Sequence, residues 1–466
     1  MARQHYFLVT CLLIWVGGCQ HIPEFTEQSL IATESPDNIL YKVVSRQDYQ
    51  DKLEGFWLGQ SIANWTGLVT EMDKIGGEGP HGQFYTREDW GQPDQASIWG
   101  QGVPSELSAT IDWVLEDENG TWGSDDDTDI EYMYQHLLAT HKVSVLSAKQ
   151  IRDGWLTYIY SDDNTPFVNS DGAKENYLWV SNQQAHDLMR QGVLPPETGS
   201  VKLNPHYAMI DAQLTTEIFG LFAPTRPDIA LKMARLPILT TARENAQWAS
   251  EFYVVMHSLA SAVDRSTSIE QQILWMAQKA RLGLPENSYS GDMFDFVMAQ
   301  YEKNLPWEEV RDNLYQRYQV EQQGGYDISA QKLYCNGCFA SGINFGASII
   351  SLLYGQGDFK QTVKIAVLMG WDSDNPAATW GGLLGFMLGK KQIQQQFTQS
   401  LSNQFNIHRT RGNFNYDGID NFSRMASEGI TIVDRVVIDV MKGRIDTKNN
   451  EWLIPTSTLK ESTEVN

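Results

Sequence analysis

The densest acidic chemistry in the chain lies at Gly123-Ser124-Asp125-Asp126-Asp127-Thr128-Asp129. Three consecutive carboxylates repel one another. Such a run is costly unless water solvates it, a helix N-terminus faces it, or a cation neutralises it. Mg²⁺ takes oxygen ligands in octahedral geometry and usually keeps several waters, so successive Asp side chains at a helix start could each serve one of two ions. Taken alone, the run reads more simply as a solvated capping turn. A second acidic segment is Gly370-Trp371-Asp372-Ser373-Asp374-Asn375-Pro376. Asp372 and Asp374 are two residues apart in an extended loop and therefore share a face. Asn375 fits a helix N-cap and Pro376 a first helical turn. The third candidate is Glu71, just beyond a helix rich in small residues that ends at Gly67. A lone Glu in that place is ordinarily a surface residue.

These groups need elements to hold them, and the elements read as helices. Ser45-x-x-Asp48 resembles a capping signal, with Tyr49, Leu53, Phe56 and Trp57 following at helical spacing. Ile130, Met133, Leu137 and Leu138 form an i, i+3, i+7, i+8 stripe directly after the first acidic run. Further helices are expected over 209–222, from Pro227 onward, and over 242–264, 268–282, 288–303, 343–355 and 359–369. Gly381, Gly385 and Gly389 recur every four residues after the second acidic segment, which marks a helix face that another helix can approach closely. Strand-like alternation is confined to short pieces such as Ile430–Ile438. Segments 75–105, 161–176 and 190–206 are rich in turn residues and read as long loops or lids. No repeat period and no linker divide the body, so the expectation is an all-α fold in one domain.

The N-terminus reads as a targeting segment. Arg3 precedes an apolar stretch from Tyr6 to Val16, too short to span a membrane as a stable helix. Gly17-Gly18-Cys19 follows and resembles the lipobox of bacterial lipoproteins, which implies cleavage before Cys19 and lipidation of its thiol. An ordinary signal peptide with an incidental Cys is the plainer alternative. Gln20, rather than Asp, after the Cys favours outer-membrane sorting. Cys335 and Cys338 form a C-x-x-C pair. In an exported protein this fits a disulfide better than a zinc half-site, because no second C-x-x-C or His pair accompanies it; free thiols or a redox pair stay open.

The formal net charge is −23 over 466 residues, which argues against nucleic acid as a partner. Hydrophobic residues make up 42%, enough for a large core, and 15 Trp add core material or a wall for a flat ligand. The nine His form no metal-spaced pair, which weighs against a His-ligated phosphoester hydrolase.

The small-residue opening helix, Asp126-Asp127-Thr128, and Gly370-x-Asp372-x-Asp374 before a Gly- and Ala-rich helix, in this order, resemble the ADP-ribosylglycohydrolase family. The segments FGLFAPTRPDIALKMA and ITIVDRVVIDV are also similar, so the resemblance runs from residue 50 to about 440. It implies a compact orthogonal multi-helix bundle with long loops around a central metal cleft. By position, Asp126, Asp127, Asp372 and Asp374 look like metal ligands. Asp125 and Asn375 take the places of the family's Thr residues and keep an oxygen donor. Glu71 falls where the family has its catalytic loop Glu. Gly59-Gln60-Ser61 stands where the family has Gly-Asp-Ala, and Thr198-Gly199-Ser200 is the only candidate for its internal Gly-rich loop.

The resemblance implies a hydrolase that cleaves a ribosyl N- or O-glycosidic bond, on an ADP-ribosyl or nucleoside-type substrate, through two Mg²⁺ ions, with Mn²⁺ or Ca²⁺ as alternatives. A non-catalytic cation- or sugar-binding lipoprotein on the same fold is the alternative. That role would be favoured by a Glu71 more than about 12 Å from the metal ligands. The expected organisation is a signal peptide over 1–18, a lipidated tether over 19–42, the helical domain over 43–445 and a polar tail over 446–466. The protein is expected to face the periplasm or sit at the outer membrane through its lipid anchor.

Overall fold

The computed structural model describes residues 40–100, 107–126, 128–169, 171–327, 335–407 and 410–456. Cys19 and Asp127 lie outside the described residues. The body is helical, as the sequence led us to expect. β1 (Tyr41–Ser45) leads straight into α1 (Arg46–Gly67), whose first turn is capped by Ser45 Oγ accepting from the Asp48 amide at 3.3 Å. α2 (Thr128–His141), α3 (Ala148–Tyr158) and α4 (Val180–Arg190) follow the first acidic run. The middle of the chain supplies α5 (Ala212–Thr216), α6 (Ile218–Leu221), α7 (Pro227–Leu239), α8 (Glu244–Leu259) and α9 (Ile269–Arg281). After these come α10 (Tyr289–Tyr301), α11 (Trp307–Leu314), α12 (Ser341–Gly355) and α13 (Phe359–Val367). The last helices are α14 (Asp374–Leu388), α15 (Lys390–Gln395) and α16 (Phe422–Asp439).

The centre of the body is the pair α1 and α14. A β-carbon on Gly59 would overlap the Gly381 carbonyl, and one on Gly385 would overlap the Gly55 carbonyl. The backbones therefore touch along this seam, which only glycine allows. Trp57, Trp380, Phe386 and Leu384 are fully buried around it.

Two small sheets complete the fold. β2 (Trp122–Gly123) pairs parallel with β3 (Gln404–Asn406), which pairs antiparallel with β4 (Ile419–Asn421). β1 pairs antiparallel with β6 (Glu451–Pro455), and β6 with β5 (Arg444–Asp446). Tyr41 and Lys42, expected in a tether, and residues 446–455, expected in a polar tail, therefore belong to the folded body. The alternation of buried Trp452 and Ile454 along β6 is what seats it.

Two expected elements differ. The 209–222 helix is broken at Glu217, where the Ile218 amide donates to Glu131 Oε1 at 2.7 Å instead of continuing the helix. Ile430–Ile438 is helical, inside α16. Its β-branched residues look strand-like, but Gly429, Ile432, Val433, Val436 and Val437 are buried at helical spacing.

Candidate active site

The loop after α1 and the loop before α14 are built against each other. A β-carbon on Gly67 would overlap Cα of Asp374, so the end of α1 rests directly on the start of α14. Ser373 Oγ donates to the Gly67 carbonyl at 3.0 Å, and Thr70 Oγ1 to the Val367 carbonyl at 2.6 Å. The Met72 amide donates to the Trp371 carbonyl at 2.8 Å, and the Trp371 amide to the Lys74 carbonyl at 2.7 Å. These exchanges hold Glu71 facing Asp372 and Asp374. The Asp372 amide donates to Asn344 Oδ1 at 3.2 Å, which ties the same loop to α12.

The first acidic run reaches the same place from the other side. The Trp65 indole donates to the Gly123 carbonyl at 2.8 Å, and Ser124 Oγ to the Asn406 carbonyl at 3.2 Å. Asp125 accepts the Thr128 amide at 2.7 Å and the Asn64 amide group. It thus caps α2 and fastens it to α1.

One cavity of about 320 Å³ gathers these side chains: Glu71, Asp125, Asp126, Asp372 and Asp374 all line it. Carboxylate oxygens of Glu71, Asp372 and Asp374 lie within 4.8 Å of one another. Asp372 and Asp374 are each 6% exposed. Such crowding has a direct electrostatic effect. Burial, then the charges of Asp374, Asp126 and Asp125, holds the Glu71 carboxyl well above the usual carboxylate range. Burial, then Asp125, pushes Asp374 up to about 7. Burial and Asp125 raise Asp126 as well. These groups cannot all ionise unless a cation joins them. The donor set is oxygen only, and Asp374 Oδ1 is buried without a hydrogen-bond partner. Both observations fit a hard divalent ion.

Asn375 is not brought to the cavity. α14 begins at Asp374, before the expected Asn375 cap, because Pro376 needs no amide partner in a first turn. Asn375 thus turns into the core, where its Oδ1 accepts from Gln213 at 2.9 Å. Thr198-Gly199-Ser200 is also elsewhere: Thr198 donates to the Thr240 carbonyl at 2.8 Å and is fully buried. Cys335 and Cys338 are joined as a disulfide.

The sequence reading missed the rest of the lining, which includes Trp65, Trp99, Tyr177, Trp179, Phe339 and Asp211. The Trp content was the one available signal, and it did not say which Trp. Asp211 lay inside a segment read as ordinary helix.

No curated protein matches the chain. Among solved structures, a chain described as an ADP-ribosylglycohydrolase-related protein complex aligns with TM-score 0.46 and 15% identity, over 83% of this chain and 98% of that one. The sequence profile described as ADP-ribosylglycohydrolase matches residues 45–429. That span takes in Glu71 and both acidic motifs, and the protein belongs to the ADP-ribosylglycohydrolase family.

Proposed function

We propose that this protein is a metal-dependent glycohydrolase that cleaves a ribosyl N- or O-glycosidic bond, with Glu71 as its catalytic residue. The observation that carries the reading is the placing of Glu71 within 4.8 Å of Asp372 and Asp374, in a cavity shared with Asp125 and Asp126. A binding role without turnover was to be favoured by a distant Glu71, and that support is gone.

Asp126, Asp372 and Asp374, with Asp125 behind them and Asp127 from the same motif, would hold two divalent ions, Mg²⁺ in the first instance. Bound there, the ions would orient the ribose hydroxyls and polarise a water. Glu71 does the proton work. Its place beside Asp372 and Asp374 lets the carboxyl give a proton to the leaving atom and regain one from the attacking water. The surrounding carboxylates favour the positive charge that develops at the anomeric carbon as the bond opens. Leu68, Trp65 and Ile210 line the same cavity and limit water around the reacting centre.

The test is hydrolysis of ADP-ribosylated arginine and serine peptides, O-acetyl-ADP-ribose and simple nucleosides, with Mg²⁺ or with EDTA. We expect ribosyl product only with metal, and none from the Asp372→Ala/Asp374→Ala variant. Turnover that survives both EDTA and the double substitution would sink the metal-dependent reading.

We further place the protein at a membrane through a lipid on Cys19, facing the periplasm, from the residues around Cys19 alone. No described helix is long and apolar enough to cross a membrane. Incorporation of labelled fatty acid into the wild type and equally into Cys19→Ala would refute this placement.

A further inference from the structure

The aromatic side of the cavity stands on an uncommon stretch of backbone. Tyr177, Trp179 and Val180 all line the cavity. Tyr177 has φ 50° and Val180 φ 41°, both in the left-handed region. A tyrosine seldom adopts that conformation and a β-branched valine hardly ever, so the surrounding structure has to hold the stretch in place.

The hold comes from a distant part of the chain. Ile159, just after α3, forms an antiparallel bridge with Arg411. The Tyr160 amide donates to the Thr410 carbonyl at 3.2 Å, and the Gly412 amide to the Tyr158 carbonyl at 2.9 Å. This pairing fixes the backbone of Arg411 and turns its side chain inward, where it is 1% exposed. The guanidinium donates to the Asn176 carbonyl at 2.7 Å and to the Tyr177 carbonyl at 3.4 Å. The Asn176 side chain donates to the Tyr160 carbonyl at 3.1 Å and accepts the Leu178 amide at 3.1 Å, which ties the same turn from its other face.

Another edge of the guanidinium faces the acidic motif. Its Nε lies 2.8 Å from Asp129, which is fully buried in the first turn of α2. Asp125 and Asp126 sit just before that turn and line the cavity. Burying an ion pair costs the solvation of both charges, so the pair by itself says little about stability. What it supplies is geometry. A planar fork of N–H donors meets a carboxylate and two carbonyls at fixed angles, whereas an ammonium is a single point of charge. One side chain thus joins the aromatic wall of the cavity to its acidic floor.

We propose that Arg411 is a positioning residue: it sets Tyr177 against the acidic centre, and through Tyr177 it governs substrate affinity from behind the cavity wall. The glycohydrolase reading enters only in naming the substrate; the hold on Tyr177 is independent of it.

Binding separates this role from turnover. The full chain carrying Glu71→Gln is titrated by calorimetry with Mg²⁺ alone, and then with ADP-ribose in the presence of Mg²⁺. Arg411→Lys keeps the charge beside Asp129 and loses the fork. We expect it to weaken ADP-ribose about tenfold while Mg²⁺ affinity stays within about threefold. Tyr177→Ala should cost a similar factor, and Arg411→Lys added to it less than about twofold more, because the two residues act as one. Hydrogen exchange needs no ligand: Arg411→Lys should speed exchange over residues 176–180 and leave α1 and α14 unchanged. If Arg411→Lys does not fold, Arg411→Met/Asp129→Asn leaves no lone buried charge and should give the same pattern. ADP-ribose affinity unmoved by the Arg411 substitution, additive losses with Tyr177→Ala, or unchanged exchange over 176–180 would each overturn the proposal. An equal loss of Mg²⁺ affinity would overturn it too, by assigning Arg411 to the acidic motif. A Glu71→Gln parent that takes up no ADP-ribose would count against the glycohydrolase reading, and the exchange measurement would still decide what Arg411 does to Tyr177.

Discussion

Burial and the neighbouring charges of Asp374, Asp126, Asp125 and Asp73 all push the Glu71 carboxyl in one direction, toward keeping its proton. Its position is fixed by backbone exchanges between two loops, not by its own side-chain bonds, so a substitution that keeps its shape should leave the loops in place. Glu71→Gln is such a change: it keeps the size and removes the transferable proton. We expect kcat to fall about 10²- to 10⁴-fold, the usual contribution of a general acid or base, with Mg²⁺ affinity changed far less. Steady-state kinetics beside a metal titration separates the two. A kcat within a few-fold of wild type would remove Glu71 from the catalytic role. At this scale the sequence was legible where motif and geometry coincide. Asp125, Asp126, Asp372 and Asp374 were readable as one set through the family resemblance, since the first run taken alone read as a solvated capping turn. Asn375 was not, because one residue of helix phase decides whether it faces the cavity or Gln213.

Helices were legible wherever a cap and a 3.6-residue stripe agreed, as at α1, α9 and α13. Ser45, Ser268 and Asp358 cap them as their types suggest. The break at Glu217 was not legible, because its cause is a carboxylate 86 positions earlier in sequence that takes the Ile218 amide. That same Glu131 accepts from Gln60 at 2.6 Å, and Glu217 lies 3.7 Å from His257. Four helical segments thus meet at a fully buried polar node. The His257 Nδ1 lies 2.8 Å from the Tyr253 carbonyl and donates to it, so Nε2 faces Glu217 as an acceptor. Burial and the charge of Glu131 hold Glu217 well above the carboxylate range, and burial lifts Glu131 to about 8. Both folded values lie above those of the unfolded chain, so folding takes up protons. The resulting stabilisation is complete below the ordinary glutamate value of 4.5 and is lost as pH rises through about 8. In EDTA, wild type should lose stability steadily between pH 6 and pH 8 from this node. Glu217→Gln can donate to His257 and cannot ionise, so its thermal midpoint should fall less over the same interval. Parallel pH dependences for the two proteins would show that the node does not titrate.

At the scale of the whole molecule, the family match ends at residue 429, before β5 and β6 begin. Composition gave no warning that residues 451–455 would fold back on β1, since the pairing joins segments separated by nearly the whole chain. The chemistry of the join is nonetheless specific. Trp452 is fully buried, stands edge-on to Tyr49 at 5.1 Å, and donates its indole N–H to Asp434 at 2.7 Å. Arg46 pairs with the same Asp434 at 2.6 Å. The first turn of α1, the last helix and the final strand are therefore clamped at one point. The cavity lies at the other end of α1, roughly 27 Å away at 1.5 Å rise per residue. Trp452→Ala removes a buried indole and leaves Asp434 one donor short. We expect a loss of about 3–5 kcal/mol, seen as a thermal midpoint lower by roughly 5–10 °C. Because the carboxylates are held by the Gly67–Asp374 contact and not by the terminal sheet, kcat/KM per folded molecule should stay within about twofold of wild type. A variant that melts like wild type would show that the terminal sheet is not a clamp. One that loses activity while still fully folded would show that the two ends of α1 are coupled.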